Sequence, residues 1–289
     1  MPAICVAVVR RSGNMISMKK AEVEEFVLSH QTEDGGFAFC NPLPASTPET
    51  FYAIYILQNL GLDIPKENRV INYIEEKIRN ARSSISIYYL LKSNEILEFN
   101  LKNRDTLKEH LIKKLNGVMK RKVSKVSYEM GVTSTYSFEL PSLLEEIFSI
   151  SESLRILDFS IKDDIYSSVE RLINGQQIAE NLKDTYYIIS VMKDRNDMNE
   201  VLHSIKKYEA PKGGYSKTPD SFPPYLEDTF YALSSFDIAG QKIKNEKTSN
   251  FILKLQNKDG GFRRSLYGGI STLEDSYYAI ASLRIIGKV

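Results

Sequence analysis

Two kinds of apolar pattern alternate along the chain. The first puts apolar residues on one face only: Val23, Phe26 and Val27 within residues 20–30, then Val70, Ile71, Ile74 and Ile78, then Leu107, Leu111, Leu115 and Val118. The series continues with Ile165, Val169, Leu172 and Ile173, with Val201, Leu202 and Ile205, and with Phe251, Ile252 and Leu255. Recurrence at three and four residues predicts helices with one buried face. The second kind is apolar almost all round, at residues 50–60, 85–91, 133–148, 184–189, 228–233 and 275–280. Helices of that composition are buried on most sides. Pro141 interrupts the third of them and predicts a kink or a restart there. The first begins at Thr47, Pro48 and Glu49, with Thr47 expected as N-cap and Pro48 at the first helical position, and Gly61 closes it.

A recurring punctuation joins the two kinds. Gln31, Gly35, Gly36 and Phe37 precede Glu49, Thr50, Phe51, Tyr52, Ala53 and Ile54. The same order returns as Gln256, Gly260, Gly261 and Phe262 before Asp275, Ser276, Tyr277, Tyr278, Ala279 and Ile280. It stands also at Gly213, Gly214 and Tyr215 before Asp228, Thr229, Phe230, Tyr231, Ala232 and Leu233, and in part as Asp184, Thr185, Tyr186 and Tyr187. Aligned on the tyrosine that opens each apolar helix, Tyr52, Tyr89, Tyr136, Tyr187, Tyr231 and Tyr278 mark six repeats, 37 to 51 residues apart. That is the period of a helical-pair array. Six one-faced helices alternating with six buried ones imply two concentric layers, and closing the ring removes the exposed ends that an open solenoid must cap. The expectation is two-thirds helix or more, no sheet, and Tyr52 and Tyr278 on adjacent inner helices; an open superhelix is the alternative. The glycine pairs lack the strand-turn-helix setting of a phosphate loop and read as tight turns.

Composition narrows the function. The chain has 289 residues, 42% of them hydrophobic, and its 38 basic and 37 acidic residues leave a net charge of +1. The densest basic run is Lys120, Arg121 and Lys122, too short for a nucleic-acid footprint. Cys5 and Cys40 fit a reducing compartment, hence a cytoplasmic expectation, and make no metal motif. No apolar run nears the ~18–20 residues that span a bilayer. Residues 1–18 read as an N-terminal arm, with Met15 or Met18 as alternative starts, and residues 19–289 as the helical array.

The glutamine, aspartate and double glycine before an aromatic, followed by acid, Ser or Thr, aromatic, Tyr and Ala, resemble the repeat of protein prenyltransferase β-subunits and squalene/terpene cyclases. The match is most specific in repeats one, five and six, although repeat five has Glu209 and Lys212 in place of the glutamine and aspartate. The resemblance implies an all-α α6–α6 toroid, a closed double ring of helices, around an aromatic cavity that holds an isoprenoid chain. It also implies site residues: Phe51, Tyr52, Tyr187, Phe230, Tyr231 and Tyr278 as cavity wall, Arg263 and Arg264 beside a diphosphate, and Glu227, Asp228 and Asp275 as catalytic acids.

The residues depart from the family at several points. Zinc-dependent members carry Asp-x-Cys at one inner-helix start and a His at the next; here Asp228 is followed by Phe230, and Asp275 stands near the His position. A zinc site needs such sulfur and nitrogen ligands, so no zinc is expected. Cyclases use Asp-x-Asp-Asp-Thr, against which Tyr225, Leu226, Glu227, Asp228 and Thr229 lack the first Asp; the chain also has no Trp. The stretch from Ser221 to Tyr225 holds no Lys or Arg for a diphosphate, which leaves Lys212, Lys217, Arg263 and Arg264. The thioester toroids are excluded by the absence of their Gly-Cys-Gly-Glu-Gln run.

Glu49, Asp184, Asp228 and Asp275 share the first turn of an inner helix, where an acid complements the helix dipole. Parallel inner helices would bring them to one mouth, where they could bind Mg²⁺ with a diphosphate. The pairs Tyr88/Tyr89, Tyr186/Tyr187 and Tyr277/Tyr278 are either core or, by one member each, cavity wall. His30, His110 and His203 lie among polar residues on outer helices. Two functions stand side by side: a prenyltransferase-like or cyclase-like enzyme without the zinc triad, and a non-catalytic toroid that binds an isoprenoid lipid or a helical protein partner.

Overall fold

The computed structural model describes residues 17–119, 143–160, 166, 167, 170, 181–195 and 199–289. Tyr136, Pro141, the fourth one-faced pattern apart from residues 166, 167 and 170, and nearly all of the N-terminal arm lie outside them. The described helices are α1 (Lys20–Leu28), α2 (Thr47–Asn59), α3 (Glu67–Asn80), α4 (Ser84–Leu97), α5 (Arg104–Met119) and α6 (Leu143–Ile156). They continue as α7 (Leu182–Met192), α8 (Asn199–Ile205), α9 (Leu226–Ile238), α10 (Glu246–Leu253) and α11 (Leu273–Ile286). None is long and apolar enough to cross a membrane.

The two patterns sort into two layers. α3 buries Val70, Tyr73, Ile74 and Ile78 and turns its charged residues outward, whereas α9 is buried continuously from Asp228 to Phe236. The all-round apolar helices meet in cyclic order: α2 packs on α4, α4 on α6, α6 on α7, α7 on α9, α9 on α11, and α11 returns to α2. Equivalent positions meet across these seams, as Tyr52 with Tyr89 and Tyr231 with Tyr278, so the six inner helices run parallel. Tyr52 and Tyr278 thus lie on adjacent helices. α1, α3, α5, α8 and α10 each pack on the inner helix that follows them.

The motif is explained residue by residue. The backbone N–H of the aromatic after the glycines donates to the Thr or Ser of the inner helix: Phe37 to Thr50 Oγ1 at 3.0 Å, Tyr215 to Thr229 Oγ1 at 2.9 Å and Phe262 to Ser276 Oγ at 3.0 Å. Each hydroxyl donates in turn to the carbonyl four residues back, at 2.7 Å in all three. A buried N–H is thereby satisfied at each helix entrance. The glutamine reaches the chain ahead of the next outer helix, Gln31 Nε2 to the Pro65 carbonyl (2.8 Å) and Gln256 Nε2 to the Lys19 carbonyl (3.2 Å). The first glycine touches that same next helix. A Cβ on Gly35 would stand 2.5 Å from the Arg69 backbone, and one on Gly260 would stand 1.8 Å from the Glu22 carbonyl. Since Glu22 belongs to α1, the last turn docks on the first helix.

Three expectations are corrected. The N-cap of α2 is Ser46, whose side chain accepts from the Glu49 N–H, so the helix begins one residue before the proline. A small ribbon does form, pairing β1 (Tyr215–Ser216) with β2 (Pro224–Tyr225). It is the long version of the single bridges Phe37↔Ser46 and Phe262↔Thr272, which bring the same aromatic to the same N-cap position. The third inner helix runs past Phe148 to Ile156. Ser149, Ser151 and Ser153 had made its second half look polar, yet all three are buried. Ser153 Oγ donates to the Ser149 carbonyl at 2.6 Å, the internal satisfaction that lets serine sit in a buried helix face.

Candidate functional site

The aromatic pairs of the inner helices form a layer across the ring, and their two members do different work. The second members are linked by hydroxyls. Tyr231 and Tyr278 lie 3.2 Å apart, Tyr278 donates to Glu274 Oε1 at 2.9 Å, Tyr52 donates to the same oxygen at 3.3 Å, and Tyr52 meets Tyr89 at 2.9 Å. One chain of hydrogen bonds therefore crosses α9, α11, α2 and α4. Tyr187 donates to Glu145 Oε1 at 2.9 Å and ties α7 to α6. Burial, with nearby phenols and Glu274 adding to it, and at Tyr231 against the pull of the Tyr278 hydrogen bond, holds Tyr52, Tyr231 and Tyr278 well above the usual phenol range, so they stay protonated donors.

The first members line a cavity. Phe51, Tyr88, Tyr186, Phe230 and Tyr277 form its floor and wall, and one turn further along lie Tyr55, Lys92, Ser190, Ser234 and Ala281. Its volume is about 500 Å³, within the ~300–1,000 Å³ of small-molecule sites. It opens at the C-terminal ends of the inner helices, between Lys92, Glu152, Lys193, Asp237 and Arg284. The cations there have partners. Lys92 pairs with Glu95 at 2.6 Å and Lys193 with Glu152 at 3.0 Å, and Arg155 holds Glu152 and also Asp194 at 2.9 Å. The Arg284 guanidinium stands by the Tyr55 hydroxyl.

The acids stand at the other end. The capping pattern puts a hydrogen-bonding side chain three residues before the acid: Asn181 before Asp184, Thr272 before Asp275 and Ser46 before Glu49. Asn181 Nδ2 donates to Asp184 at 2.8 Å and Thr272 Oγ1 to Asp275 at 3.0 Å. In α9 the N-cap is Tyr225, which offers no such group. Asp228 is buried, 5% exposed, and its Oδ2 lacks any hydrogen-bond partner. Burial, with Glu227 adding to it against Arg264 and Lys217, pushes its carboxyl up to about 7. Burial and then Glu274 do the same for Glu49, also to about 7, and its Oε2 is unpartnered too. Burial lifts Asp275 to about 6, against the pull of the Thr272 hydroxyl. Arg264 is ion-paired with Glu227 and lies over the Tyr225 ring at 4.7 Å, while Arg263 buries an unpartnered Nε.

Of the residues singled out in the sequence, Phe51 and Phe230 line the cavity. Tyr52, Tyr187, Tyr231 and Tyr278 form the hydrogen-bonded layer beneath it. Glu227, Asp228, Asp275, Arg263 and Arg264 gather on the far side of that layer. Sequence reasoning passed over Tyr55, Lys92, Lys193 and Arg284. The available signal was the spacing of four residues from Phe51 to Tyr55 and from Tyr88 to Lys92, which continues one helix face to the C-terminal mouth. The donor set does not fit zinc. Phe230 faces the cavity where a thiolate would be needed, and among the described residues no three His, Cys, Asp or Glu side chains converge on a metal position.

With the ring and its aromatic lining established, the comparison with known families is decisive for the class of protein. The model of the prenyltransferase alpha-alpha toroid domain matches residues 4–87 and 181–289, about two-thirds of the chain. The chain belongs to that family. The first matched segment begins inside the stretch expected to be an arm. The unmatched middle, residues 88–180, holds the end of repeat two, repeat three and the first pattern of repeat four, where the glycine punctuation is missing. Compared with curated proteins, the sequence has no match.

Proposed function

We propose that this toroid binds an isoprenoid lipid with an uncharged polar head in the cavity at the C-terminal ends of its inner helices. The observation that carries the reading is the position of the opening. The aromatic bowl faces away from the acids, and the hydroxyl-linked tyrosine layer stands between them. A chain buried against Phe51, Tyr186, Phe230 and Tyr277 puts its head among Lys92, Lys193 and Arg284, whose charges are offset by Glu95, Glu152 and Asp237. The inner helices add their negative C-terminal ends at that mouth. A diphosphate would have to break existing ion pairs in a field of its own sign, whereas a hydroxyl finds donors and acceptors in place.

This makes the binding-protein function the favoured one and turns the Mg²⁺ requirement around. A diphosphate held by Asp228 and Asp275 would need Mg²⁺ to bridge like charges; a lipid alcohol in the C-terminal bowl needs no metal. One observation favours an enzyme, prenyltransferase-like or cyclase-like: Asp228, buried with its carboxyl raised to about 7, is suited to act as a general acid. Its substrate would have to enter from the N-terminal face.

Calorimetry with geranylgeraniol and geranylgeranyl diphosphate, each with and without Mg²⁺, separates the two. The expected result is alcohol binding at least as tight as that of the diphosphate and unchanged by Mg²⁺. Phe230→Ala is expected to weaken it roughly tenfold, as loss of most of one buried aromatic contact implies. Diphosphate binding that requires Mg²⁺ and disappears in Asp228→Asn would transfer the function to the acids.

A further inference from the structure

The inner end of the C-terminal cavity carries hydroxyls that packing does not explain. The first members of the aromatic pairs are Phe51 on α2 and Phe230 on α9, but Tyr88 on α4, Tyr186 on α7 and Tyr277 on α11. Phenylalanine fills the position on two helices, so the wall alone does not call for the three phenol oxygens. Tyr88, Tyr186 and Tyr277 are half-buried and line the cavity, whereas Tyr187, Tyr231 and Tyr278 in the layer beneath are buried.

The two sets of hydroxyls also differ in what they touch. Those of Tyr52, Tyr89, Tyr187, Tyr231 and Tyr278 are hydrogen-bonded within the layer. Among the described residues, those of Tyr88 and Tyr277 have no hydrogen-bond partner, while that of Tyr186 stands by the Ser190 side chain. They face one space, since a charge on Tyr186 would repel one on Tyr88 or Tyr277, and a charge on Tyr277 one on Tyr88. Burial, with these neighbours adding to it, holds Tyr88 and Tyr277 well above the usual phenol range, so both are protonated donors.

Water in the open cavity can accept from these donors. A ligand that displaces the water and brings only hydrocarbon leaves them buried and unpaired, which weakens its binding. The mouth lies seven residues further along three helices, from Tyr186 to Lys193, Phe230 to Asp237 and Tyr277 to Arg284, or roughly 10 Å at the helical rise. One ligand can therefore meet polar groups at both of its ends. We propose, resting on the lipid reading of this cavity, that the ligand is an isoprenoid oxygenated at both ends, whose inner oxygen accepts from the hydroxyls of Tyr88 and Tyr277. That oxygen is uncharged, in a hydroxyl or a carbonyl. A carboxylate would give up its hydration among aromatic rings, away from the cations of the mouth. An ammonium brings donors and no acceptor.

Titration calorimetry on the whole chain compares geranylgeraniol with its ω-hydroxylated form. The diol is expected to bind at least tenfold tighter, because a site built to hydrogen-bond a hydroxyl rejects the analogue that lacks it. In Tyr88→Phe/Tyr277→Phe, which keeps both rings, the ratio of the two affinities should fall to about one. The ratio is taken within each protein, so a partly misfolded variant cannot imitate its loss. Geranylgeraniol that binds as tightly as the diol overturns this inference and leaves the lipid reading standing. A preference that survives in the double variant also overturns it, since the oxygen is then read by other groups. If neither ligand binds, the lipid reading fails and this inference with it.

Discussion

Alanine in place of Gly260 is expected to destabilise the protein by about 2–5 kcal/mol, from a strained left-handed residue and a forced overlap together. Gly260 has φ +92°, and the added Cβ would lie 1.8 Å from the Glu22 carbonyl oxygen. Both partners are backbone, so neither can step aside by changing rotamer. Relief requires the last glycine turn to leave α1, which also strains the pair of bonds between Gln256 and Lys19, at 3.0 and 3.2 Å. That seam joins the last repeat to the first. Gly61 provides the control, since it also has a positive φ, +61°, but no atom within 4 Å of its Cβ position. Gly61→Ala isolates the backbone strain, at about 1–2 kcal/mol. Denaturant midpoints for the two variants read the difference. Equal losses would mean that the turn does not bear on the first helix. Total stabilities of about 5–15 kcal/mol make the expected loss a substantial fraction.

Stability is expected to fall as pH rises from 5 to 8, and Asp228→Asn to remove much of that fall. The Asp228 carboxyl sits at about 7 in the folded chain against an ordinary 3.8, and Glu49 at about 7 against 4.5. Between the two values the folded protein holds protons that the unfolded chain has released. The folded state therefore binds more protons, and unfolding becomes easier with each step of pH until the folded values are passed. At about 1.4 kcal/mol per pH unit, the part belonging to Asp228 between pH 5 and 8 is on the order of 2–3 kcal/mol. Asparagine keeps the shape and cannot ionise. The effect of the substitution should thus be more favourable at pH 8 than at pH 5 by that amount. An effect equal at both pH values would show the carboxyl to be ordinary in its ionisation.

The fold was legible because the motif residues repeat a mechanical task. Gln31 and Gln256 fasten the next outer helix, Gly35 and Gly260 permit its close approach, and Thr50, Thr229 and Ser276 seal the entrance of the inner helix. Each task is met by one or two residue types, so each leaves a mark in the sequence. The end of the third inner helix left none, since Ser149, Ser151 and Ser153 satisfy their burial inside the helix and look like surface residues. The site was harder to read. Adjacent residues on a helix are rotated by only about 100°, so Tyr277 and Tyr278 both reach the interior and the sequence gives no way to tell wall from support. The acids drew attention to the N-terminal end, where they are regular in position. The cavity opens where Lys92, Lys193 and Arg284 resemble ordinary solvated residues of a last turn.

Which end of the ring receives the lipid is decided most directly by photo-crosslinking. Geranylgeraniol carrying a diazirine on its chain is bound to the intact protein and irradiated, and the modified peptides are identified by mass spectrometry. The account predicts adducts on Tyr55, Tyr88, Tyr186, Phe230 and Tyr277, suppressed by excess geranylgeraniol. Adducts confined to the segments around Glu227, Asp228 and Asp275, with the C-terminal bowl unlabelled, would contradict it.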